Sequence, residues 1–247
     1  MAALSQHVAV PLRLLLVRHG LSSFNVERRI QGRDDLSTLT ETGQDQARRL
    51  GQALADVPIN AAYSSPLKRA ASTAAGILDA RNDALRPNLD EGLLEIDLEP
   101  WSGLTADERS ERFPEQFATW KRNPEALELI RKDGSSYRPY EELMQQANSF
   151  LEELIRRHPV TGDETVLLVG HNAILRCLIV SLLGDPQQGF RRLRLDNASL
   201  SVFNLNPKND GHQVQIECLN STAHLEPPLP GKGSGSRLIL VRHGETN

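Results

Sequence analysis

Three short polar clusters carry the residue types for chemistry on a phosphoryl group: Arg18-His19, Ser65 to Arg69, and His171. Each follows an apolar run of strand length, LRLLLV (12–17), AAYS (61–64) and TVLLV (165–169). Arginine offers a planar fork of donors that matches phosphate oxygens two at a time. Imidazole is a nucleophile near neutral pH once its second nitrogen is fixed by a hydrogen-bond acceptor. Two arginines and two histidines at one crevice would therefore make a phosphoryl pocket. In open α/β sheets, the carboxyl ends of strands are where such distant segments meet.

The elements that must position these residues are readable from pattern. LRLLLV is nearly continuous in apolar residues, as expected of a strand covered on both faces. Thr40 opens a helix with Ala47, Leu50 and Leu54 on one face, ending before Pro58. Ser65-Pro66 reads as an N-cap followed by a first-turn proline, which puts Arg69 in the second turn of the next helix. Residues 139–158 form an amphipathic helix stopped by Pro159, and the almost wholly apolar segment after His171 predicts a deeply buried helix closed by Gly184. ASLSVFNL (198–205) and QVQIECL (213–219) alternate as an antiparallel hairpin, joined by a loop with Asn206-Pro207 and Asp210-Gly211. The stretch 99–138 is charged and weakly periodic, with Trp101, Phe113, Phe117 and Trp120 scattered through it; it reads as a lid-like insertion. The whole predicts a three-layer α/β/α sandwich around a mostly parallel mixed sheet.

Composition narrows the function classes. The 247 residues are 39% apolar and 24% charged with a formal net charge of −4, which supplies no bulk attraction to nucleic acid or to an anionic membrane. Cys177 and Cys218 have neither disulfide-framework nor zinc-ligand spacing and read as structural thiols in a reducing cytoplasm. The amino-terminal stretch lacks a basic n-region, and residues 173–183 are too short to span a bilayer, so neither a signal peptide nor a membrane segment is expected.

Taken together, LVRHG (16–20), Asn25, QG (31–32), LTETGQDQA (39–47), YSSPLKRAASTA (63–74), LLEIDLEPWSG (93–103) and VGHNAI (169–174) resemble the histidine phosphatase superfamily, the phosphoglycerate mutase-like family, over about residues 12–205. The resemblance implies that His19 attacks phosphorus to give a phosphohistidine. Arg18, Arg69 and His171 would hold the nonbridging oxygens, and Asn25 would hydrogen-bond the phosphoryl group. Glu95 would protonate the leaving oxygen and then activate water. It implies no metal and no other cofactor. Two departures bear on substrate contacts: Leu21 stands where the family usually has Glu or Gln, and Asn172 where it usually has Gly.

The expected activity is hydrolysis of a small phosphorylated metabolite. Phosphoglycerate mutase chemistry through the same histidine is the alternative, and the short segment between Glu95 and His171 weighs against it. A noncatalytic phosphate-ligand sensor is the reading from a different class. His7, His158, His212 and His224 are expected to be bystanders. PGKGSGS (230–236) resembles a glycine-rich phosphate loop but precedes a strand where such a loop would follow one, so it reads as linker.

Residues 237–244, RLILVRHG, repeat residues 13–20, RLLLVRHG, with one change. The repeat predicts a tandem arrangement: a first domain over 1–225, a Pro/Gly/Ser-rich linker over 226–236, and the start of a second copy over 237–247, where His243 has no partners of its own. Residues 237–241 could compete for the position of 13–17, giving a homodimer by strand swap.

Overall fold

The computed structural model describes residues 11–184, 189–209 and 211–229, with 231, 238 and 239. In chain order the strands are β1 (Leu12–Arg18), β2 (Ala61–Ser64), β3 (Asn88–Leu89), β4 (Leu129–Ile130), β5 (Ser136–Tyr137), β6 (Thr165–Gly170), β7 (Leu200–Lys208) and β8 (Gly211–Ser221). The helices are α1 (Ser23–Val26), α2 (Glu41–Ala53), α3 (Lys68–Ala80), α4 (Ala106–Arg112), α5 (Pro114–Arg122), α6 (Pro139–Arg157), α7 (Asn172–Leu183) and α8 (Gly189–Arg192).

Six strands form one sheet in the order β3-β2-β6-β1-β7-β8. β3, β2, β6 and β1 run parallel, whereas β7 is antiparallel to both β1 and β8. β1 is central, with Leu14 to Val17 buried. Its alternate side chains divide the core: Leu12, Leu14 and Leu16 pack with α6 and α7, and Leu15 and Val17 pack with α2 and α3. The continuous apolar run is thus the signature of a strand between two helical layers.

Local chemistry fixes the helix ends. Thr40 caps α2, its hydroxyl accepting the Gly43 N–H at 3.0 Å, a contact worth about 1 kcal/mol. Gly184 closes α7 in the left-handed conformation, φ 70°. Seven α7 residues are buried, in keeping with its missing polar face.

Two expectations are corrected. The helix after β2 begins at Lys68 with Leu67 as its N-cap, so Arg69 is its second residue and lies in the first turn. Ser65 does not cap it, because its hydroxyl is engaged with His171 at 2.8 Å and with the Leu67 N–H at 3.3 Å. The hairpin strands also extend further than alternation suggests: Asn206 and Pro207 lie within β7, paired with Gln213 and His212. β1 stops pairing at Leu205, so Pro207 sits where β7 has one neighbour and a missing N–H is tolerated.

The stretch 99–138 holds α4, α5 and the β4–β5 hairpin. Trp101 is fully buried in the α6/α7-side core with Leu127, Leu129 and Tyr137, and Phe113 and Trp120 pack against it. Residues just after the hairpin stay on the domain: Thr222 donates to the Pro228 carbonyl at 2.6 Å, and Arg49 pairs with Glu226 at 3.4 Å. Of the repeated octapeptide only Leu238 and Ile239 are described, both exposed and neither in a strand. The remainder, with His243, lies outside the described residues, as do His7 and most of the 230–236 linker.

Candidate active site

β1, β2 and β6 end side by side, because β6 inserts between β1 and β2 in the sheet. His19 follows β1, Ser65 follows β2 and His171 follows β6. The two histidine rings lie 5.2 Å apart, centre to centre, tilted by 57°. Backbone pairing continues past the strand ends, with the His19 N–H donating to the Gly170 carbonyl at 2.9 Å and Ser65 N–H to Val169 at 3.0 Å.

His19 is 2% exposed, and its Nδ1 lies 2.8 Å from the Gly20 carbonyl. A carbonyl only accepts, so Nδ1 carries the proton and Nε2 keeps its lone pair. Burial first, then Arg18 and Arg69, hold the ring well below the usual histidine range. His171 is shifted in the same direction by burial, Arg69, His19 and Arg18. Its Nε2 meets Ser65, while its Nδ1 is buried without a partner.

The guanidinium groups are anchored on one side and open on the other. Arg18 donates to the Leu195 carbonyl at 2.8 Å, and Arg69 to the carbonyls of Gly32 and Asp34 at 2.9 and 3.2 Å. Nε of each is buried with no partner. Burial lowers the Arg18 pKa to about 10, which leaves it a cation at neutral pH. A buried Arg69 and a partly buried Arg18, each with a buried Nε left without a partner, are costly unless an acceptor completes them.

Glu95 is 6% exposed and sits on the amino end of α7. Its carboxylate accepts from Ala173 N–H at 3.1 and 3.2 Å, Ile174 N–H at 3.2 Å and Ile96 N–H at 2.9 Å. The helix terminus thereby fixes a carboxylate among the cations, with Arg18 and Arg69 as electrostatic neighbours. Arg33 holds the same loop, donating to the Glu95 carbonyl at 2.9 Å and to Gln146 at 2.8 Å.

Asn25 joins the cluster indirectly. Its Oδ1 accepts from Ser22 N–H at 3.2 Å and from Asn197 Nδ2 at 2.9 Å, which fixes the amide orientation. The Asn197 amide also donates to the carbonyls of His19 and Gly20, at 3.1 and 3.2 Å. Thr73 Oγ1 accepts the Gly20 N–H at 3.0 Å. Sequence reading missed Asn197, Thr73 and Arg33. Asn197 lies in a turn with no local pattern, while Thr73, four residues after Arg69 on α3, could have been found by helical spacing.

The relation to known proteins agrees with this arrangement. The family model for the histidine phosphatase superfamily (branch 1) matches residues 14–220. The chain is 36% identical over 241 residues to a probable 2-carboxy-D-arabinitol-1-phosphatase of Arabidopsis thaliana, covering 95% of this chain and 48% of that protein. It is 35% identical over 214 residues to phosphoserine phosphatase 1 of Hydrogenobacter thermophilus, covering 87% and 94%. Among solved structures, Bacillus stearothermophilus YhfR superimposes with a TM-score of 0.73 at 30% identity, covering 86% of this chain and 98% of that one. The chain spans about half the length of the Arabidopsis relative. On fold, site and sequence together, the chain belongs to the histidine phosphatase superfamily, branch 1.

Proposed function

We propose that the chain hydrolyses the phosphomonoester of a small metabolite through a phosphohistidine at His19. The observation that carries this reading is a buried, neutral imidazole with Nδ1 tied to the Gly20 carbonyl, set among guanidinium groups whose Nε donors are orphaned. The family membership and the phosphatase names of two relatives support it.

The His19 Nε2 lone pair forms the bond to phosphorus as the bond to the leaving oxygen breaks. Arg18, Arg69 and His171 donate to the nonbridging oxygens, where charge accumulates in a loose transition state. The Asn25 amide nitrogen, left open by the fixing of Oδ1, adds a donor. Glu95 takes up a proton as the dianionic ester enters, passes it to the leaving oxygen as the ester bond breaks, and as carboxylate then takes one from the water that displaces His19. The two free thiols fit a reducing compartment such as the cytoplasm. The repeated octapeptide supports a tandem arrangement of such domains in the full-length protein, with the strand swap as its structural corollary.

Purified chain is expected to hydrolyse an aryl phosphate and to trap an acid-labile, alkali-stable label from a radiolabelled phosphomonoester. His19→Ala should lower turnover at least about a thousandfold and abolish the label. Label found on another residue would refute the mechanism. Exchange between 3- and 2-phosphoglycerate faster than hydrolysis would reassign the activity to a mutase, and phosphate binding without turnover on a broad panel would make the domain a sensor.

A further inference from the structure

The turn between α8 and β7 carries one amide that binds three oxygens of the site at once. Asn197 Nδ2 donates to Asn25 Oδ1 at 2.9 Å, to the His19 carbonyl at 3.1 Å and to the Gly20 carbonyl at 3.2 Å. The two carbonyls only accept, so the Asn197 atom that faces them is nitrogen, and the Asn25 atom that faces this nitrogen is oxygen. The Asn25 nitrogen is thereby left for the crevice. The Gly20 carbonyl is also the oxygen that takes the His19 Nδ1 hydrogen at 2.8 Å. Its peptide is held at both ends, the carbonyl by Asn197 and the Leu21 N–H by Gln46 Oε1 at 2.8 Å.

The backbone that aims this amide is itself locked. Asp196 and Asn220, at the end of β8, exchange hydrogen bonds, the Asp196 N–H to Asn220 Oδ1 at 2.7 Å and Asn220 Nδ2 to Asp196 Oδ2 at 2.8 Å. Ala198, on the other side of Asn197, is fully buried and left-handed, with φ 53°. Its N–H is shared between the carbonyls of Arg18 and His19, at 3.1 and 3.2 Å, and its carbonyl lies 3.0 Å from His224 Nε2. A non-glycine residue keeps such a φ only where its surroundings over-determine it. Bonds from the ends of β1 and β8 and from His224 do so here. Packing alone would accept any side chain of this shape at position 197, whereas three oxygen acceptors demand a donor.

We propose that Asn197 is a positioning residue for phosphoryl transfer: as an obligate donor it holds the His19 loop and dictates which end of the Asn25 amide meets the phosphoryl group. This rests on the phosphatase reading above. Asn197→Asp keeps the shape of the side chain but sets a carboxylate oxygen against three oxygens. The Asn25 amide can meet that carboxylate only by turning round, which aims its Oδ1 at the phosphoryl group. With 4-nitrophenyl phosphate as substrate, Asn197→Ala should lower kcat about tenfold and Asn197→Asp about a hundredfold. The ratio of kcat in Asn197→Asp to that of the unsubstituted chain should rise as pH falls, because a protonated carboxyl can donate again. Where Asn197 acts through Asn25, the loss from Asn197→Ala should shrink to about twofold in an Asn25→Ala background. Activity in Asn197→Asp equal to the unsubstituted chain, or above that of Asn197→Ala, would show that only shape matters and overturn the proposal. If circular dichroism shows Asn197→Asp unfolded, the paired alanine variants decide: a loss from Asn197→Ala as large without Asn25 as with it overturns the proposal equally. No hydrolysis by the unsubstituted chain is a separate result, which would refute the phosphatase reading and the proposal with it.

Discussion

The proposed attack of His19 on phosphorus needs a neutral ring, and the same burial and charges that hold His19 below the usual histidine range act on His171. Both folded-state pKa values lie below the unfolded value of about 6.5. Above pH 6.5 neither state takes up the proton and the contribution to stability is fully present. As pH falls below 6.5 the unfolded chain binds protons that the folded chain refuses, so stability is lost. Thermal unfolding of the ligand-free protein should therefore show Tm falling between about pH 6.5 and 5, with a shallower fall in His171→Gln. An equally steep fall in that variant would place the titration elsewhere.

Among the elements, α2 is pressed onto the loop that carries His19. The Leu21 carbonyl accepts from both the backbone N–H and the hydroxyl of Thr40 at 3.0 Å, and Gly20 and Gly43 pack backbone to backbone. A Cβ at Gly43 would lie 2.1 Å from the Leu21 carbonyl oxygen, and one at Gly20 2.5 Å from the Gly43 carbonyl oxygen. Helix propensity alone favours Gly43→Ala by about 1 kcal/mol. The contact opposes it, since overpacking of this kind costs about 1–3 kcal/mol. Gly43→Ala should lower both Tm and kcat, because the displaced loop carries His19; a rise in Tm with unchanged kcat would show that the contact yields without cost. α7 has a comparable double duty: its amino-terminal N–H groups hold Glu95 while its apolar body anchors the site in the core.

At the scale of the whole molecule, the site exists because the chain returns to the sheet between its first two strands. That insertion of β6 brings His171 against His19 from 152 residues away. The resulting cluster leaves the buried Nε donors of Arg18 and Arg69 without partners, so inorganic phosphate should stabilise the fold. At a concentration about ten times its Kd the gain is about 1.4 kcal/mol, or about 3–6 °C in Tm for a domain of this size. Differential scanning fluorimetry should show the shift, and it should vanish in Arg69→Gln; a full shift in that variant would mean that phosphate binds elsewhere. No helix among the described residues is long and apolar enough to cross a membrane.

The strands at 12–17, 61–64 and 165–169, the helix capped by Thr40 and the buried helix after His171 were legible because hydrophobic period and cap chemistry act over a few residues. The polar residues at the strand ends were legible for the same reason. Other features arise only between distant segments. Ser65 is drawn from its expected capping role by His171, Pro207 is tolerated because β1 has already ended, and Asn197 reaches the His19 loop from a turn with no pattern of its own. Local sequence determined which residues could do chemistry and on which elements they stand. Tertiary structure decided which of their donors are satisfied by the chain and which are left open, because a hydrogen bond is completed by whatever the fold brings within 3 Å or so, however far away it lies in sequence.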